Sequence, residues 1–362
     1  MTDLTPFLAH MMASASAALR FQRADGSFPP GHNNSWQDID TPVRVTSHFA
    51  IQLVFAYRYS RDPCYLNAAR EAGRFLLSEF ARPGGKTFFC RVSHNKNLSN
   101  GLIGQAWPIE ALLHLYSVTS DDGYLDLAAE VYRLHPFDWS FGLYCPVDCD
   151  GTALSMERTL NHQLIFAAAG MGLAERGYTE IENQVNRFYE RLPDNIYLAN
   201  NGLIHHHVRQ SGNTIKSFVY QFPPIRWNQK LANRSRGYQS FNLFALSLAK
   251  RNYPNSEVWA NGRLGKVLDR VHGFATDSDF LSSVLNNDLA LAYRLTGQEI
   301  LFSLRAFGYD DGPGMTYDLI EAQFDRHWDS EEGMLVRNTG DPRTLSSRLY
   351  EMWYLFEGQL ST

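Results

Sequence analysis

Six strongly apolar helical segments, alternating with amphipathic ones, predict an all-α chain folded as an (α/α)6 toroid. In that fold six inner helices form a closed ring inside six outer helices, with short β-hairpins in the loops. Two recurring motifs support the ring. One opens outer helices and the other precedes inner ones.

The N-terminal stretch 1–20 reads as an amphipathic helix. It lacks the basic start and continuous apolar run of a signal peptide. The first inner helix is predicted at 45–60 (VTSHFAIQLVFAYRYS), the second at 101–118 and the third at 162–177. The fourth, fifth and sixth follow at 238–251, 280–297 (FLSSVLNNDLALAYRLTG) and 343–358. All six are apolar on several faces, as buried helices are. The intervening segments PCYLNAAREAGRFLLSEFAR, GYLDLAAEVYRLHPF and EIENQVNRFYERL carry one apolar face each. The pattern D-x-x-Y-L-x-x-A occurs at Asp62–Ala69 and Asp121–Ala128, with the aspartate placed to cap the helix start. The triplets Gly142-Leu143-Tyr144, Gly202-Leu203-Ile204 and Gly333-Met334-Leu335 read as hairpin strands returning to the next inner helix.

Four long loops precede inner helices, at 23–44, 82–100, 139–161 and 198–237. They are expected to crowd one mouth of the ring, above helix N-termini whose unpaired N–H groups favour anions. Nothing resembling a linker interrupts the chain, so residues 1–362 are expected to form one domain. A net charge of −5 without any Lys/Arg-rich run argues against nucleic acid and anionic membrane surfaces, yet leaves room for a locally basic cleft. No segment is long and apolar enough to span a bilayer, and a cytoplasmic location is expected. The four cysteines, with Cys145 and Cys149 in CPVDC, lack a second ligand pair and read as reduced structural thiols.

Chemistry-bearing residues gather at the loop-rich mouth. Asn161 and His162 head the third inner helix, and Arg236 and Tyr238 head the fourth. Asn161 also suits a plain helix cap, and His162 a histidine satisfied in the first turn. Together these residue types fit removal of a proton next to a carboxylate. Asn161 and Arg236 would neutralise the carboxyl of a uronic acid. His162 or Tyr238 would act as base, and Tyr238 as acid toward a leaving glycosidic oxygen. Candidates for substrate binding are Asn100, Gln105 and Trp107, with Trp107 either a sugar platform or core. His205 and His207 alternate with His206 along a strand-like run, and nearby carboxylates are not evident, so no metal and no cofactor are expected. Asp38, Asp40 and Arg44 occupy the first long loop, where the two aspartates suit a hydrolase or simply cap turns. Tyr350, Arg348 and Glu351 on the last inner helix either reach the cavity or pair in the core.

The Asn161-His162 pair, followed by Arg236 and Tyr238 on the next inner helix, resembles the layout of toroid polysaccharide lyases of the alginate lyase type. Those carry Asn-Asn-His where this chain has Leu160-Asn161-His162, so the match is partial. More of the chain is similar to toroid proteins of bacterial exopolysaccharide and capsule clusters. The stretches that carry this are Asn100-Gly-Leu-Ile-Gly-Gln105-Ala-Trp107, Leu134–Asp138 and Asn161-His162-Gln163. The resemblance implies an enzyme on a uronic-acid-containing poly- or oligosaccharide, with β-elimination the expected reaction. Alternatives are a C5-epimerase, a glycoside hydrolase using paired carboxylates, and a non-catalytic glycan-binding toroid.

Overall fold

A computed structural model describes residues 4–33, 39–93, 95–209, 229–287, 289–310 and 314–359. Asp38 lies outside them. The chain is an (α/α)6 toroid. Helix α1 (Thr5–Leu19) lies on the outside, and α2 (Val43–Ser60) is the first inner helix, followed by the outer α3 (Pro63–Leu76). The hairpin repeats as α4 (Gly101–Thr119) with α5 (Asp122–Arg133), and α6 (Leu160–Ala174) with α7 (Thr179–Asn195). It repeats again as α8 (Gln229–Asn252) with α9 (Gly262–Ala275). A short α10 (Ser278–Val284) leads to the fifth pair, α11 (Thr296–Phe307) and α12 (Met315–His327). The sixth inner element comprises α13 (Pro342–Ser347), α14 (Tyr350–Trp353) and a 3-10 turn at Tyr354–Gln359. It packs back on α2 and closes the ring, while α1 takes the sixth outer place.

Burial explains the two helix types. Every residue from Val43 to Ala56 and from Gly101 to Leu115 is buried, so these helices have no solvent face. Outer α7 instead buries Ile181, Val185, Phe188, Tyr189 and Leu192 at helical spacing, with Asn195 at its end, and exposes the rest to varying degrees. Asp62 and Asp121 cap α3 and α5 as the repeat suggests, accepting from the N–H groups of Cys64 (2.9 Å) and Gly123 (3.0 Å).

Short antiparallel strands stand before the inner helices. Strand β1 (Ile39–Asp40) pairs with β2 (Arg91–Val92), β3 (Phe137–Asp138) with β4 (Leu143–Tyr144), and β5 (Trp328–Asp329) with β6 (Met334–Leu335). An isolated bridge joins Leu198 to Ile204. The glycine triplets thus form the returning strands of hairpins. Gly202 has φ +96°, and a Cβ there would lie 2.2 Å from the Arg270 carbonyl oxygen on α9, so only glycine fits. A buried glutamine of the next inner helix then grips the segment that leads to it. Gln105 accepts from the Phe88 N–H (2.7 Å) and donates to the Phe88 carbonyl (3.0 Å). Gln163 does the same at Tyr144 (3.0 and 2.8 Å), and Gln239 accepts from the Ile204 N–H (3.0 Å).

Three helices differ from expectation. The fourth inner helix starts at Gln229, nine residues before Tyr238. The fifth inner helix is Thr296–Phe307, not 280–297. Asn287 breaks the earlier stretch by accepting from the Leu289 N–H through its side chain (2.9 Å). The true inner helix buries Gln298, Glu299 and Ser303, polar residues that a pattern reading assigns to a solvated face. The sixth is broken after Ser347. There Leu349 donates to Ser346 O (3.2 Å) and Glu351 to Arg348 O (2.9 Å), a tightened i to i+3 ladder. Cys64, Cys90, Cys145 and Cys149 are free thiols. Among the described residues no helix is long and apolar enough to cross a membrane.

Candidate active site

A cavity of about 230 Å³ lies where the long loops meet the heads of the inner helices. Backbone pairing assembles its first wall. The Leu160 N–H donates to His206 O (3.0 Å), the Val208 N–H donates to Arg158 O (2.9 Å), and Thr159 bridges His207. The strand carrying the histidine run is therefore stitched to the head of α6, which brings His162, His206 and His207 into one cavity. Ser235 on α8 fixes the strand from the other side, its Oγ accepting from the His206 N–H (3.1 Å).

The histidines differ in setting. His162 Nδ1 lies 3.1 Å from Glu157 Oε2. Burial alone would raise the Glu157 carboxyl, but His162 and the Thr159 N–H hold it down to about 2. The pair thus presents an imidazole backed by a carboxylate. Burial keeps His206 well below the ordinary histidine range, with His207, Arg234 and His162 adding to the effect, so His206 is neutral at physiological pH. Its ring packs on Tyr238 at 5.1 Å, and its Nδ1 has no hydrogen-bond partner among the described residues. Burial, with His205 and two arginines nearby, lowers His207 to about 4.

Beyond Tyr238, whose ring Arg294 covers at 5.2 Å, lie two buried arginines. Arg294 follows α10, and Arg348 sits in the break between α13 and α14. Both donate to the same oxygen of Glu299, each at 2.9 Å, while Ser240 donates to its other oxygen. Burial would raise Glu299, but the two guanidiniums hold it below the usual carboxylate range. The rings of Phe241 and Tyr293 stack beneath the guanidinium groups, Phe241 at 3.8 Å from Arg294 and 5.3 Å from Arg348. Arg348 also meets Glu351 at 2.6 Å, and burial, with Glu299 nearby, pushes the Glu351 carboxyl up to about 8 despite Arg348. Arg91, Lys96 and Arg234 line the remaining edge. No Asp or Glu is among the described lining residues, so the cavity faces its contents with cations, histidines and amides.

The residues expected at the site divide clearly. Asn100, Trp107, Asn161, His162, His207 and Tyr238 line the cavity. Asn161 does not cap α6, whose N-cap is Thr159. Its Oδ1 is buried without a hydrogen-bond partner among the described residues, as is Trp107 Nε1. Asn100 precedes α4 in a left-handed conformation and accepts from Arg91 (2.9 Å). Arg236 is directed elsewhere, donating to Asn233 (3.3 Å). Because α8 already begins at Gln229, Arg234 and Tyr238 share a helix face four residues apart and Arg236 falls on another. Gln105 is absorbed in its grip on Phe88. His205 is buried against Tyr197 (5.8 Å) and does not line the cavity, whereas His206 does. Asp40 and Arg44 form a buried ion pair, and Arg44 also donates to Tyr293 (3.0 Å) and Asn33 (3.2 Å). Tyr350 is fully buried below the site, its ring 4.8 Å from His48. Glu157, Tyr293, Arg294 and Glu299 were not anticipated. Glu157 lies in a loop with no periodicity, and the signal that Arg294 and Glu299 offered was an opposite-charge spacing of five. Among the described residues no cluster of His, Cys, Asp and Glu is arranged to hold a metal.

No family model matches the chain. Solved structures with the same fold include cellobiose 2-epimerase from Bacillus thermoamylovorans B4167, with TM-score 0.67 and 14% identity over 97% of this chain and 100% of that one. D-mannose isomerase superposes with TM-score 0.66 and 13% identity over 97% and 96% of the two chains. An unsaturated glucuronyl hydrolase specific for heparin gives 0.59 and 14% over 98% and 100%. At such identities the likeness establishes the fold. A nearer relative is archaeal glycosylation protein Q of Haloferax volcanii, 34% identical over 368 aligned positions that cover 97% of each protein. On that identity and coverage, the chain belongs to the family of archaeal glycosylation protein Q.

Proposed function

We propose that this protein is an isomerase or epimerase of glycan assembly that moves a proton on the carbon next to the carboxylate or carbonyl of an anionic sugar. The observation that carries this reading is a cavity lined by arginines, a lysine and histidines with no carboxylate among its described lining residues. Most glycoside hydrolases use two carboxylates flanking the scissile bond. Here Asp40 is bound to Arg44, while Glu157, Glu299 and Glu351 stand behind the histidine or arginine they support.

Neutral His206 suits the base. Arg294 and Arg348, preorganised by Glu299, suit the negative charge that develops on the substrate oxygens as the proton leaves. His162, backed by Glu157, suits the acid that returns a proton, and return to the opposite face inverts the carbon. The relative's name, a glycosylation protein, favours building a glycan over degrading one. The titles of the epimerase and isomerase with this fold point the same way. Elimination shares the first step. It is the second reading, favoured by Tyr238, whose hydroxyl could protonate a leaving oxygen.

The test is incubation with a panel of uronic acids and uronosides in D2O, followed by NMR and ultraviolet absorbance. Carbon-bound deuterium in an intact sugar supports epimerisation, and an absorbing unsaturated product supports elimination. New reducing ends without either would establish hydrolysis instead. His162→Ala should abolish inversion while leaving deuterium exchange through His206, and full inversion in that variant would remove His162 from the mechanism.

A further inference from the structure

The cations of the cavity fall into two sets that differ in origin, burial and support. Arg294 and Arg348 come from the fifth and sixth ring positions, are 1% and 2% exposed, and are locked by the shared Glu299 carboxylate. Arg91 and Lys96 come from the loop before α4, and Arg234 from the second turn of α8. These three are partly or fully exposed, and they flank the head of α6, which carries His162 between them. In a six-membered ring, position two lies across the cavity from position five, whereas position four adjoins position five, and Arg234 there stands beside His206 and His207. One carboxylate placed against Arg294 and Arg348 therefore leaves a second basic edge on the histidine side. Arg91 donates to Asn97 O (2.7 Å) and Asn100 Oδ1 (2.9 Å).

Resting on the anionic-sugar reading above, we propose that the substrate carries two separated anionic groups, the sugar's own carboxylate and a phosphoryl group at the edge formed by Arg91, Lys96 and Arg234. A phosphoryl group bears close to two negative charges and several acceptor oxygens, which matches three cationic side chains lining one cavity better than a second carboxylate does. The partly exposed edge also leaves room for whatever the phosphoryl group is attached to. The cavity volume of about 230 Å³ is the space of roughly eight waters, enough for one sugar residue with its substituents held at the mouth.

The experiment is calorimetric titration of the full chain with glucuronate, glucuronic acid 1-phosphate and glucose 1-phosphate at low and high salt. Glucuronic acid 1-phosphate is expected to bind about tenfold tighter than glucuronate, an advantage of the size exposed charge pairs supply together. That ratio should shrink with salt and fall toward one in Lys96→Gln and Arg234→Gln, both at sites exposed enough to tolerate the change. Glucose 1-phosphate should bind more weakly than the doubly anionic sugar. Equal binding of glucuronate and its 1-phosphate overturns this inference while leaving the anionic-sugar reading intact, as does a ratio unchanged in both variants. Glucose 1-phosphate binding as tightly as glucuronic acid 1-phosphate removes the carboxylate requirement, and binding of none of the three removes both readings.

Discussion

His206 and His162 stand a few ångströms from the same strand-to-helix junction, yet their surroundings assign them different work. Burial, with Arg234 nearby, keeps His206 neutral, whereas Glu157 gives His162 a fixed acceptor for Nδ1. His206→Gln should lower proton exchange by about 10²- to 10⁴-fold, the usual contribution of a positioned base, with the fold unchanged by circular dichroism. Glu157 also carries a pH signature. Its carboxyl is held at about 2 in the folded chain against an ordinary 4.5, so its stabilisation is present above pH 4.5 and is lost as pH falls toward 2. Glu157→Gln should therefore be less stable than the parent at pH 6 and approach it at pH 2.5, measured by urea unfolding. At this scale Asn161, His162 and Trp107 were legible because they sit in the first turns of strongly apolar helices. Arg234 lines the cavity where Arg236 was expected, because the start of α8 is polar and polarity hides where a helix begins.

Hairpins and helix heads show how elements were encoded. The Gly-led triplets were readable because each has a positive φ that favours glycine, and Gly202 shows the demand most sharply. Gly202→Ala should cost about 1–3 kcal/mol from its positive φ and the Arg270 carbonyl, and more than Gly333→Ala, where the nearest atom is 3.3 Å away. Thermal melts of the two variants would show this order or its absence. Gln163→Ala strips partners from the Tyr144 N–H and carbonyl, and a loss of about 1–3 kcal/mol is expected. Helix α11 and the broken α13–α14 were not readable. The buried Gln298 and Glu299 look like solvent-facing residues until the Glu299 pairing with Arg294 and Arg348 is known.

At the scale of the whole ring, closure depends on contacts between the first and last inner helices. Phe55 on α2 stacks on Trp353 of α14 with ring planes 10° apart, and Trp353→Ala should cost about 3–5 kcal/mol, seen as a lowered urea midpoint. A second closure contact titrates. The Tyr354 hydroxyl, just past α14, donates to Glu110 on α4, and burial pushes that carboxyl up to about 7 despite the hydrogen bond. A raised carboxyl favours folding fully below pH 4.5, and the benefit is lost as pH rises through 7, a change of roughly 3 kcal/mol. Glu110→Gln should remove this decline; an unchanged stability profile between pH 4.5 and 7.5 would refute the assignment.

The sequence by itself determined the ring, because apolar periodicity, capping aspartates and obligatory glycines act within a few residues of where they are written. It also determined the mouth, since long loops and the heads of α4 and α6 follow from chain order alone. Only the tertiary structure decided which charges face the cavity. Glu299 holds Arg294 and Arg348 together across 54 residues of chain, and the strand at His206 is stitched to α6 through backbone atoms that carry no sequence signal. The electrostatics of the site follow from burial and pairing between distant elements, and both exist only once the ring has closed.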